Sequence, residues 1–188
     1  MKPGSTFGAL IGSFELAQFD AEALKRFDLS SAGFWQSFTA VLFLIPIFML
    51  GVYLQNIYFM RQGSTPEPYD IAILVILLDW VLFVLLMRPI TGLLGVKENY
   101  FGAMTVYNWC RPLAFAFYIP VLAAGAAGLA GSNTLFLLYY LAVTLRSVYQ
   151  GYILHLTLRL SLWAIFAMIV LDIILGEFII VVLRQFFL

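Results

Sequence analysis

The chain has 188 residues, of which 63% are hydrophobic and 11% charged, with ten basic and ten acidic side chains. A soluble domain carries about 25% charged residues, and no fold of this length hides so much apolar surface from water; the composition excludes a water-soluble domain and makes a lipid bilayer the expected partner. The balanced charge excludes a general attraction to nucleic acid. The single cysteine, Cys110, excludes an internal disulfide and a cysteine-based zinc site and reads as packing.

Residues 1–33 read as a cytoplasmic or interfacial segment and residues 34–188 as the transmembrane domain. In the first part, Phe7, Leu10, Ile11 and Phe14 follow i, i+3, i+4, i+7 spacing, one face of a helix. Asp20 is placed to cap a second piece holding Leu24 and Phe27, and Ser30 or Ser31 to cap the first spanning helix. The segment either lies on the membrane surface as an amphipathic helix or folds against the loops of the bundle. It lacks the short apolar core and cleavage site of a secretory signal.

Five apolar runs follow that are long enough for a bilayer core, which takes about 20 helical residues. They cover about Phe34 to Gln55, Asp70 to Met87, a third within Phe101 to Gly131, Thr134 to Leu154, and Leu160 to Leu183. The loop at residues 61–70, with Gly63, Pro66 and Pro68, reads as a turn-rich connection. The expected fold is all-α, a polytopic bundle of five transmembrane helices with an N-terminal amphipathic segment. With the N-terminus in the cytoplasm, that side receives Lys2, Lys25, Arg26, Arg88, Lys97 and Arg159, and the other only Arg61 and Arg184. This agrees with the positive-inside rule and puts the C-terminus on the opposite side.

Asp79, Arg111, Arg146, Asp172 and Glu177 fall inside these runs. Ionisable groups at such depth face the bundle interior and pair. Asp79, Arg146 and Asp172 all come close to mid-span, and Arg146 with Asp172 joins consecutive helices. Arg111 has two readings. A third span beginning near Phe101 buries it and calls for Asp79 as partner. A span beginning at Pro112 leaves it at the cytoplasmic boundary, free to snorkel. Proline suits the first turn of a helix and costs a hydrogen bond inside one, which favours the break at Pro112 and makes residues 98–110 interfacial. Tyr107, Asn108 and Tyr118 share a helical face with Arg111, and Tyr139, Tyr149 and Gln150 share one with Arg146. Such polar stripes bind membrane helices together. Gly125 and Gly128, in an alanine-rich run, read as close helix contacts, either within the chain or with another copy.

The chain has no zinc-protease motif, nucleophile elbow or phosphate-binding loop. With one histidine, His155, no histidine-rich metal or haem site is expected, and no catalytic residue, metal or cofactor is assigned. The stretches "FDAEALKRFDLSSAGFWQSFTAVLFLIPIF", "YNW" at 107–109 and "LRLSLWAIFAMIVLDIIL" resemble the Yip (Ypt-interacting protein) type of five-pass membrane protein, in its bacterial branch. The resemblance implies a cytoplasmic N-terminus, five clustered spans and residence in a bacterial inner membrane. A Rab-like partner would need a longer cytoplasmic portion than 33 residues. The expectation is a non-enzymatic protein that organises the membrane or scaffolds other membrane proteins, its partners being the lipid bilayer and other membrane proteins or a second copy of itself. The alternatives are a small transporter or channel using Asp79 and Asp172, and an accessory subunit of a larger membrane complex.

Overall fold

The computed structural model describes residues 4–187, and within them the secondary structure is helical throughout, with no strand. Helix α1 (Thr6–Ala17) is capped by the Ser5 side chain, which accepts from the Gly8 amide at 3.1 Å. A 3₁₀ turn at Ala21–Arg26, capped by Asp20, leads to α2 (Ser31–Ser37), where Ser30 accepts from the Gly33 amide. A further 3₁₀ turn at Phe38–Ala40 joins α2 to α3 (Val41–Arg61). Then come α4 (Tyr69–Leu93), α5 (Tyr100–Ala116), α6 (Ile119–Ala127), α7 (Ser132–Leu158) and α8 (Leu162–Phe187). The end of the bundle that carries α1 is called the near end, and the end with the α3–α4 loop the far end. The Asn56 side chain ties that loop down, accepting from the Glu67 amide at 2.7 Å and donating to its carbonyl at 3.0 Å.

Four helical stretches are long and apolar enough to cross a membrane: Ser31–Arg61, Tyr69–Leu93, Lys97–Ala127 and Leu162–Phe186. The expected span at Thr134 to Leu154 differs. It lies in α7, a helix of 27 residues and ample length, but this helix is not apolar enough to join the four. Arg146, Gln150, His155 and four tyrosines dilute it.

The face of α1 that packs is its small-residue one, while the Phe7 and Phe14 side of the apolar face read from the sequence stays outside. Gly8, Ala9, Gly12, Ser13 and Leu16 are buried, while Phe7 and Phe14 remain 67% and 58% exposed. Small side chains let α1 approach α5 closely, and hydrogen bonds then hold it. The Ser13 hydroxyl donates to the Trp109 carbonyl at 3.0 Å, and the Tyr149 hydroxyl to the Ser13 carbonyl at 2.8 Å. The N-terminal segment is thus folded onto the bundle, with two phenylalanines turned outward.

The break expected at Pro112 is also absent. Pro112 lies inside α5, and residues Ala103 to Pro112 are all buried. One lost backbone bond is tolerable where neighbouring helices enclose the segment, and α1, α2, α3 and α7 all contact α5. The chain breaks later, at Phe117–Tyr118, and Pro120 occupies the first turn of α6. Beyond that break α6 packs mainly against α3. The centre that α5 fills at the near end is therefore left unfilled at the far end.

Candidate functional site

Four helices bring the mid-span charges together. Asp79 of α4 and Arg111 of α5 form a salt bridge, as do Arg146 of α7 and Asp172 of α8. Arg111 is fully buried, which overturns the reading of a boundary arginine and supplies the partner that a break at Pro112 denied Asp79. The two pairs are joined. Arg111 Nη1 lies 3.9 Å from Asp172 Oδ1. The Tyr107 hydroxyl donates to the same oxygen at 2.9 Å and accepts from Arg111 Nη1 and from Gln150 Nε2, each at 3.2 Å. Two guanidinium groups and two carboxylates cancel, so the cluster is neutral and its desolvation cost is offset internally. Phe115 adds its ring face, 5.8 Å from the Arg111 guanidinium and 5.5 Å from that of Arg146.

The rest of the expected polar stripe divides. Asn108 bonds outside the cluster, accepting from Trp80 Nε1 at 2.7 Å and donating to Ser37 Oγ at 2.8 Å. Tyr149 leaves the cluster for α1, and its ring packs edge-on against Phe117 at 5.8 Å. Tyr118 lies past the helix break, so its spacing from Arg111 no longer places it on one continuous face; its ring lies 5.6 Å from that of Tyr139. Gly125 is a contact within the chain, since a Cβ there would meet Tyr58 and Leu135 at 3.4 Å. Gly128 is not a helix contact of that kind. It closes α6 in the left-handed region at φ 69°, where glycine is favoured. Arg61 donates to the neighbouring Ala126 carbonyl at 2.7 Å, complementing the negative helix end.

The cluster forms one end of a cavity of about 470 Å³. Asp79, Arg146 and Asp172 line it at mid-bundle, and Glu67 and Arg184, paired at 2.6 Å, line it at the far end. Between them stand Phe48, Ile119, Leu122 and other apolar side chains. Tyr139 and Tyr140 of α7 and Ile173 of α8 line the cavity yet are 44%, 53% and 37% exposed, so it opens along the α7–α8 side. The two helices meet closely toward the near end, where Gly151 faces Ile165 and Ile169. Asp79 Oδ1 and Arg146 Nε are buried without a hydrogen-bond partner, both on residues of the cavity wall.

Sequence reasoning missed Trp80, Ser37, Ser13 and Phe115. Trp80 carried a signal, because a buried indole N–H needs an acceptor; the others depend on which helices meet. Among the described residues no three of His, Cys, Asp or Glu converge to hold a metal ion. Comparison of the chain with protein-family models, with curated proteins and with solved structures returned no match.

Proposed function

We propose that the chain is a five-pass, non-enzymatic integral membrane protein whose cavity takes up a small molecule from the outer half of the membrane. In this reading α7 is the fifth crossing. Its 27 residues span about 40 Å at about 1.5 Å per residue, and its one arginine is turned inward to Asp172. The near end faces the cytoplasm, as the excess of lysine and arginine there favours, and the Yip-type resemblance supports the same topology. The observation that carries the reading is the open cavity ending on the mid-span cluster, whose Asp79, Arg146 and Asp172 line it. Ionisable groups that line a cavity at this depth are the usual mark of a binding or conduction site.

The test is accessibility. In vesicles of known sidedness, Val143→Cys on the cavity wall should react with a membrane-impermeant thiol reagent from the outer side only. Failure to react from either side removes the reading.

The scaffold reading draws on a different observation. The cluster is neutral and its members are bonded to one another, so it can hold the helices without moving anything. A stable protein partner recovered from native membranes together with an unreactive Val143→Cys would favour it.

A further inference from the structure

Helix α1 turns an apolar face away from the bundle. Phe7, Leu10, Ile11 and Phe14 share one side of it, and the opposite side, with Ala9, Gly12, Ser13 and Leu16, is the one that packs. Phe7 and Phe14 are exposed, and Leu10 and Ile11 are half-buried. A helix that is apolar on both sides belongs inside a core or inside lipid.

Depth decides between the two. Ser13 is bonded to the Trp109 carbonyl of α5 and to the Tyr149 hydroxyl of α7. Trp109 is two residues from Arg111, and Tyr149 is three from Arg146; these are offsets of about 3 Å and about 4.5 Å along their helices, at about 1.5 Å per residue. The middle of α1 therefore lies within one helical turn of the mid-span cluster, whereas about 15 Å separates the middle of a hydrocarbon core from its edge. At the same level α7 exposes Leu145 and Val148, so its outer side and that of α1 meet the same surroundings. The segment also returns to the side it came from. The Gly4 amide donates to the Arg26 carbonyl at 2.9 Å. A Cβ at Gly102, nine residues before Arg111, would meet Leu29 at 3.3 Å, which puts Leu29 about 13.5 Å toward the near end.

Chain that turns at such depth must satisfy its own backbone. The amides of Gln18, Phe19 and Asp20 donate to the Glu15 and Leu16 carbonyls at 3.0 to 3.1 Å, and the Tyr152 hydroxyl donates to the Phe19 carbonyl at 2.8 Å. Phe19 makes the turn in the left-handed region at φ 62°, where a bulky side chain is uncommon, and its ring is exposed. The charges of the segment pair off, Glu15 with Arg26 and Glu22 with Lys25.

We propose that residues 5–27 form a re-entrant hairpin sunk in the leaflet at the near end, with Phe7, Phe14 and Phe19 against acyl chains and the Glu22–Lys25 pair at the headgroups. None of these residues lines the cavity, so the hairpin and the cavity stand or fall separately.

Spin labelling in vesicles of phosphatidylcholine and phosphatidylglycerol tests it, on a Cys110→Ala background. Labels go on Phe14→Cys and, as a second position on the same face, Phe7→Cys. Leu145→Cys on α7 is the lipid standard and Lys25→Cys the edge standard; circular dichroism and gel filtration establish that each variant is folded. The labels at Phe14→Cys and Phe7→Cys should collide with oxygen as Leu145→Cys does, and should lose the collisions with a water-soluble nickel chelate that Lys25→Cys retains. Nickel collisions at Phe14→Cys equal to those at Lys25→Cys put the face in water and sink the hairpin. Loss of both kinds of collision means that protein covers the face and sinks it too: a second copy where unlabelled protein relieves spin broadening, the chain's own residues where it does not.

Discussion

Replacing Arg111 by methionine tests the cluster most directly. The side chain is fully buried, bridged to Asp79, 3.9 Å from Asp172 and bonded to Tyr107. Methionine keeps much of the volume and removes the charge. Two buried carboxylates then face one guanidinium, that of Arg146. Leaving one buried charge uncompensated costs about 3–5 kcal/mol, which for a chain of this size lowers the melting temperature by roughly 10 °C. Restoring neutrality with Arg111→Met/Asp79→Asn should recover more than half of the loss, because the penalty comes from the stranded carboxylate and less from the lost bond. Arg146→Met should cost less than Arg111→Met, since the Arg146 side chain is 13% exposed and borders the cavity. The assay is built in. Cys110 is 1% exposed and is the only cysteine, so a thiol-reactive fluorophore reports unfolding in detergent without an added label. A single variant within about 1 kcal/mol of the native protein, or a double variant no more stable than the single, would refute the reasoning.

Two further outcomes follow from the N-terminal segment. A Cβ at Gly12 would stand 2.8 Å from the buried Phe27 ring, so Gly12→Leu should displace Phe27 from the cluster it shares with Ala9, Leu16, Trp109 and Cys110 and loosen α1. Cys110, whose Sγ lies 3.6 Å from Ser13 Oγ, should then react with a thiol reagent at least about tenfold faster under native conditions, a local opening distinct from global unfolding. The second outcome concerns pH. The hydrogen bond from Arg26 holds the Glu15 carboxyl below its ordinary value of 4.5. A depressed carboxyl contributes its stabilisation above the unfolded value and loses it as pH falls through the folded one. Hydrogen-exchange protection of residues 5–27, corrected for intrinsic rates, should therefore fall below about pH 4.5 in the native chain. In Glu15→Gln it should already be lower at neutral pH and show less of that acid loss.

The sequence by itself determined the helical architecture, most of the long elements and that several of them are apolar enough to cross a membrane, because apolar composition and run length act locally. It also pointed to Arg146 and Asp172 as the least costly pair, since they lie at equal depth on consecutive helices, and the structure joins them. The tertiary structure decided the rest. Pro112 alone favours a helix break, and only enclosure by four other helices keeps α5 continuous and buries Arg111 beside Asp79. The spacing of Phe7 and Phe14 marks an apolar face on α1, yet its small-residue face packs, because close approach and hydrogen bonds to α5 and α7 depend on side chains about a hundred residues away. The cavity follows from the chain turning at Phe117–Tyr118, which leaves the far half of the bundle centre empty around Asp79, Arg146 and Asp172. Burial energies act on whole helices packed together, so which charges share one space is decided by their assembly and not by any single stretch of chain.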